Sequence, residues 1–227
     1  MKKLNLLLLI SLFTVFSTNI FAADPIAVVI KAKGEISVKN AASGKSTDAK
    51  RGTRLNDGDK ITTGKDGRLA VKFLDDNSLL RIRPNSTLTV NAKKEQNSVA
   101  KNVFVEVGTI FSRITKQNSS FRVTTPTSVA SVKGTIFWTV QEFKGATTYF
   151  GDEGTVEISN DAGSALMHKD ETGYVTSKNS KPIVRKTKPG EKPTLEEGDE
   201  PDEFEFDFQD QSGNKKLLKF KAKKSQN

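Results

Sequence analysis

Between Ile26 and about Val175 the chain alternates apolar and polar positions in short runs, broken about every ten residues by turn-forming clusters. In LLRIRPNS, Leu80 and Ile82 share one side while Arg81 and Arg83 share the other. In NVFVEVGTIF, Val103, Val105 and Val107 alternate with Phe104 and Glu106, and in GTVEISN, Val156 and Ile158 alternate with Thr155, Glu157 and Ser159. The interruptions are Asn-Asp-Gly-Asp, Gly-Lys-Asp-Gly, Asp-Asp-Asn-Ser and Pro-Asn-Ser, whose Gly, Asn and Asp supply turn geometry. No long window shows the three-and-four spacing of an amphipathic helix. The pattern predicts an all-β fold, a twisted solenoid-like or sandwich-like stack of short strands.

The alternation fades after Val175. TSKNSKPIVRKTKPGEKPT is rich in lysine and proline, LEEGDEPDEFEFDFQD is acidic, and NKKLLKFKAKKSQN is basic. Such blocks bury too little apolar surface to offset the entropy of ordering them, so 177–227 is read as a flexible, disordered charged tail. EFEFDF and KKLLKFK nevertheless alternate with opposite charges, which makes a hairpin over 203–221 possible, or addition of either run to a partner's sheet edge.

The first residues change the picture of where the domain works. Lys2 and Lys3 precede an apolar run from Leu4 to about Phe16, which closes on Ala22 and Ala23, the three-part layout of a signal peptide over 1–22. The run is short for a membrane span. Its removal would lower the formal charge from +9 to +7 by taking away Lys2 and Lys3. The chain has no cysteine, so neither disulfides nor a lipidated cysteine is available, and a periplasmic or secreted protein that is not a lipoprotein is expected.

Candidate chemistry is sparse. Catalysis needs a nucleophile, a base and a group that orients the base. His168 is the only histidine, it lies in a polar stretch, and no Gly-x-Ser-x-Gly elbow is present. Asp75 and Asp76, and Asn56 to Lys60, invite a cation-binding reading but lack calcium-loop spacing and read better as turns. VKGT, Val132 to Thr135, lacks the second glycine and the glycine-lysine order of a phosphate loop. No enzyme activity, cofactor or metal is expected. The remaining candidate is a basic surface of Lys72, Arg81, Arg83 and Lys133, set against the simpler reading of a solvated basic face. No aromatic residues interleave with these charges in the sequence, so nucleic acid is not an expected partner.

FRVTTPTSVASVKGTIFWTV resembles the signature of the FecR-type extracytoplasmic domain, through Phe121, Val123, Thr125, Pro126, Ala130, Val132, Gly134, Thr135 and Phe137. RGTRLNDGDKITTGKDGRLAVKFLDDNSLLRIRPNSTLTV, VEVGTIFSRI, GTVEIS and ETGYVTS resemble the family's other units, so the resemblance runs from about Val28 to Thr176, within a domain placed at 26–176. Lys133 stands where the family has arginine. The resemblance implies an all-β, non-enzymatic module. In the best-known members it belongs to an anti-sigma regulator with a cytoplasmic segment and a transmembrane helix, which a cleavable signal replaces here. The expected function is a non-catalytic exported interaction or sensor module of the bacterial envelope, binding a protein or wall component through its β surface and tail. The alternative is a polyanion- or glycan-binding structural protein of the cell surface.

The fold signature is Thr125, Pro126, Val132, Gly134, Thr135 and Phe137. Strict alternation groups Ala130, Val132, Gly134, Ile136, Trp138 and Val140 on one face and leaves Phe137 on the other. The resemblance implies that Phe137 is a core residue, and a bulge at Gly134 would reconcile the two by shifting the facing one residue. Pro126 is expected to begin the strand, since it cannot donate within a ladder.

Overall fold

The computed structural model describes residues 24–94, 99–115 and 120–195, and two further strands at 204–209 and 215–220. The expected signal peptide at 1–22 lies outside the described residues, as does the turn expected between the last two strands. Every regular element described is a strand. The first half holds β1 (Ala27–Lys33), β2 (Ile36–Lys39), β3 (Ser46–Asp48), β4 (Arg54–Leu55), β5 (Lys60–Thr63), β6 (Arg68–Phe73), β7 (Leu79–Ile82) and β8 (Thr87–Lys94). A long strand, β9 (Val99–Arg113), follows. The second half holds β10 (Phe121–Thr124), β11 (Val129–Val132), β12 (Ile136–Gln141), β13 (Thr147–Glu153), β14 (Thr155–Asn160), β15 (Gly163–His168), β16 (Glu171–Val175) and β17 (Ile183–Lys186).

The pairings resolve into two layers that share β9. Sheet A runs β4, β1, β6, β7, β9, β12, β13, β16, β17. Sheet B runs β3, β2, β5, β8, β9, β10, β11, β14, β15. Up to Val107, β9 pairs with β8 and β10 in sheet B; from Gly108 onward it pairs with β7 and β12 in sheet A. The chain otherwise visits the layers in turn, and this produces the flattened, solenoid-like stack that the short runs predict.

One core fills the space between the layers. Sheet A contributes Val29, Val71, Phe73, Leu80, Ile82 and Phe137, and sheet B contributes Ile61, Leu88, Val103, Val123 and Ile158. Phe73 meets Phe121 edge-to-face across it, with ring centres 5.6 Å apart. At about 2 kcal/mol for each fully buried large apolar side chain, this core supplies the main drive to fold a chain without disulfides.

The signature stretch does not form one bulged strand. β11 lies in sheet B, β12 lies in sheet A, and the chain crosses between them at Lys133–Gly134, with Gly134 at φ +97°. The facing therefore changes at Gly134, as the bulge reading requires, but by a change of layer. Ala130 and Val132 point into the core from sheet B and Phe137 from sheet A, while Ile136, Trp138 and Val140 fall on the far side of sheet A. Pro126 does not begin a strand. It sits in the tight turn between β10 and β11, which Thr125 N–H closes on the Ser128 carbonyl at 2.8 Å.

The β structure also runs past the boundary expected at 176. β17 pairs with β16 from Glu171↔Lys186 to Tyr174↔Ile183, because IVRK retains enough alternation to add one short edge strand. Beyond these, β18 (Phe204–Gln209) pairs antiparallel with β19 (Lys215–Phe220), Phe204 opposite Phe220 and Gln209 opposite Lys215.

Candidate interaction surface

The outer faces of the two layers differ in character. On sheet B the outward positions are mostly polar, among them Ser37, Thr62, Thr89, Asn102, Arg122, Ser131 and Glu157, with Phe104, Val129 and Leu166 as the apolar exceptions. Lys60 and Glu106 pair there at 2.7 Å, and Thr124 donates to Asn102 at 2.7 Å. A mainly antiparallel layer, here with β9 and β10 paired in parallel, commonly has one face on the core and one in water.

Sheet A departs from it. Its outward positions form cross-strand rows, in which neighbours stand about 5 Å apart. One row runs Ala70, Arg81, Phe111, Trp138, Phe150, Thr172, Arg185. The adjacent row runs Val28, Lys72, Leu79, Arg113, Ile136. Val28, Ile30, Ala70 and Leu79 make one buried cluster and Phe111, Trp138 and Phe150 another, with Arg81 between them at 4% exposure. Phe111 and Trp138 meet edge-to-face at 5.0 Å. Guanidinium groups lie over these rings: Arg81 and Arg113 over Phe111 at 5.4 and 5.9 Å, and Arg83 over Trp138 at 5.8 Å. Each such contact is worth about 0.5–2 kcal/mol, with the larger values where water is excluded.

Lys72, Arg81 and Arg83, read from sequence as a basic surface, thus converge on this face. Lys72 is half-buried, and burial pushes its pKa down. Lys133 is not part of the group; it is exposed on the turn between β11 and β12. The sequence reading missed the aromatic half. Phe111, Trp138 and Phe150 come from three strands and are separated by many residues, so only cross-strand register joins them.

The segment after β17 leads onto the same face. Arg185 pairs with Glu191 and holds its carboxyl down to about 2. Lys192 reaches Asp152 at 2.5 Å, Arg83 donates from Nη2 to the Thr194 carbonyl at 3.1 Å, and Leu195 packs on the Phe111, Trp138 and Phe150 cluster.

The other sequence candidates have structural roles. Asp59 is buried and accepts hydrogen bonds from Asn40 Nδ2, Ala41 N–H and Asn56 N–H at 3.1, 2.9 and 2.8 Å, which ties down its turn. Asp76 accepts from Ser78 N–H and Oγ, and with Asp75 it flanks the buried ammonium of Lys101 at 2.8 and 2.6 Å. His168 is exposed, 3.1 Å from Thr155 Oγ1 through Nδ1. No group of three metal-ligating side chains occurs among the described residues.

Thr125 of the signature joins a buried hydroxyl cluster at one end of the core. Thr125 meets Thr147 at 2.8 Å, Thr127 also meets Thr147, Gln141 Oε1 accepts from Thr147, and Ser128 meets the Tyr149 hydroxyl at 3.0 Å. Burial pushes the Tyr149 hydroxyl up to about 12. Its neutral form is thus favoured in the fold, so this contribution is full below about pH 10, where the unfolded chain begins to ionise, and is lost as pH rises through about 12. Denaturant melts from pH 9 to 12 should show a fall of about 2–3 kcal/mol, and Tyr149→Phe should flatten that slope.

Residues 59–157 match the FecR protein family model, from just before β5 into β14. No curated protein matches the chain. Two crystal structures of a protein described as an anti-sigma factor from Parabacteroides distasonis align with TM-scores of 0.49 and 0.48, each at 16% identity and covering 56% of this chain. The alignment covers 59% of that protein's length. No helix among the described residues is long and apolar enough to cross a membrane. The match to the FecR family model thus lies within a β stack that extends to both sides of it.

Proposed function

We propose that the protein is a non-catalytic interaction module of the bacterial cell envelope whose working surface is the outer face of sheet A. The observation that carries the reading is the asymmetry of the layers: sheet B presents mostly polar side chains with scattered apolar ones, while sheet A gathers arginine and aromatic residues in rows on the side away from the core. Aromatic and arginine side chains together are the composition of interface hot spots. The FecR match supports a regulatory rather than enzymatic role, and the signal-peptide pattern at 1–22 supports an envelope location.

The preferred partner is a polypeptide with acidic and apolar side chains. Cations alone would suit any anionic polymer, but Trp138, Phe111 and Phe150 reward apolar contact as well. A second reading, binding of an anionic envelope polymer, draws on Lys72, Arg81, Arg83 and Arg113 alone. The immobilised protein should retain a specific envelope protein that Arg83→Glu with Arg113→Glu releases. Retention of that protein should survive moderate salt in part, whereas polymer binding should fall steeply with salt. Equal retention by the wild type and the double variant would overturn the assignment to this face.

A further inference from the structure

The outer face of sheet A is shielded, although among the described residues the segment ending at Leu195 reaches only the Phe111, Trp138 and Phe150 cluster. Val28 and Trp138 are 1% and 2% exposed, and both point away from the core. The geometry points to an occupant within the chain: strand β18, in its hairpin with β19, seats on the outer face of sheet A and holds it closed until a partner displaces it. This deepens the proposed function and rests on it for the role of the displacing partner.

Three observations converge. The chain is delivered to the face, since Leu195 packs on the Phe111, Trp138 and Phe150 cluster and Arg83 holds the Thr194 carbonyl. Eight residues then separate Leu195 from Phe204, and nine extended steps span at most about 30 Å. From β12 across β9, β7 and β6 to β1 is four inter-strand steps, or about 19 Å, so the Val28 and Leu79 cluster is within reach.

The chemistry is also complementary. The connecting run contains Glu196, Glu197, Asp199, Glu200, Asp202 and Glu203, and β18 adds Glu205 and Asp207. Opposite them the face carries Lys72, Arg81, Arg83 and Arg113. The period of two places Phe204, Phe206 and Phe208 on one face of β18, in register with Phe220, Leu218 and Lys216. Each row of sheet A mixes apolar residues with cations, so the phenylalanine face of β18 suits Phe111, Trp138 and Leu79 while the acids of the connecting run suit Arg81, Arg113 and Lys72.

The test uses the full chain. A zero-length reagent that couples lysine to carboxylate should link Lys72 or Lys31 to Glu205, Asp207 or the acids before them, in a species of monomer mass. The same links confined to a dimer would assign the face to a second copy and overturn the arrangement within one chain. Trp138, the only tryptophan, reports independently. Glu205→Lys with Asp207→Lys should raise its acrylamide quenching severalfold, and high salt should do the same to the wild type. Unchanged quenching, with Lys31 and Lys72 linked to none of these acids, would sink the inference. A docked strand whose release gains no envelope partner would keep the inference and refute the proposed function; partner binding indifferent to the strand would do the reverse.

Discussion

Gly108→Ala should collapse the junction between the two layers, at an expected cost of about 3–5 kcal/mol from backbone strain plus overpacking. Gly108 stands where β9 leaves sheet B for sheet A, at φ +112°, a region that side-chain-bearing residues rarely adopt. A Cβ there would lie 2.4 and 2.5 Å from Ser86 Cβ and Cα. Ser86 cannot retreat easily. It is fully buried, Thr63 Oγ1 accepts its N–H at 2.9 Å, and its Oγ accepts the Thr109 N–H at 3.1 Å. The melting temperature should fall by roughly 10 °C or more. Gly44→Ala is the control. Gly44 also has positive φ, at +67°, but a Cβ there meets nothing within 4 Å, so its cost is only the local strain of about 1–2 kcal/mol. Equal melts for Gly108→Ala and wild type would show that β9 crosses between the layers without this hinge.

Lys101→Ala should cost about 3–5 kcal/mol for a different reason. Lys101 faces the core from β9, its side chain has no exposure, and its ammonium sits 2.6 Å from Asp75 and 2.8 Å from Asp76, with Phe73 at 5.5 Å. Removing the cation leaves two carboxylates close together, Asp76 largely out of water. The loss therefore reflects mainly the stranded acids. Lys101→Met combined with Asp75→Asn and Asp76→Asn should recover most of the stability, since a well-packed neutral group often replaces a buried ion pair at little cost. Denaturant midpoints of the single and triple variants decide this. A triple variant as unstable as Lys101→Ala would mean that the charges themselves hold the β6–β7 turn against β9.

What was legible in the sequence was what is local. A period of two with frequent turns fixes strands, and it identified the inward positions of β7, β9 and β14. The stretch from Thr125 to Phe137 holds the hydroxyl-lined turn and the crossing at Gly134. What escaped was everything set by how strands are ordered. Alternation gives two faces but does not name which layer covers them, so the change of layer at Gly134 read as a bulge. For the same reason nothing in the sequence joined Phe111, Trp138 and Phe150, which form a row with Arg81 on the far side of sheet A. Lys101 was invisible because its partners at Asp75 and Asp76 read as a turn, which they also are. The edge strand β17 was missed because composition was averaged over a lysine-rich window, within which Ile183 and Val184 still pair with β16.

In the proposed arrangement the outer face of sheet A is the working surface and the chain's own acidic strand is its resident occupant. The most direct measurement compares how much of a single envelope protein is retained by three immobilised chains at one salt concentration: the wild type, the Glu205→Lys and Asp207→Lys variant, and that variant carrying Arg83→Glu and Arg113→Glu as well. The predicted order is highest for the chain with the released strand, lower for the wild type, and lowest for the chain whose face is also reversed. Equal retention by all three would contradict it.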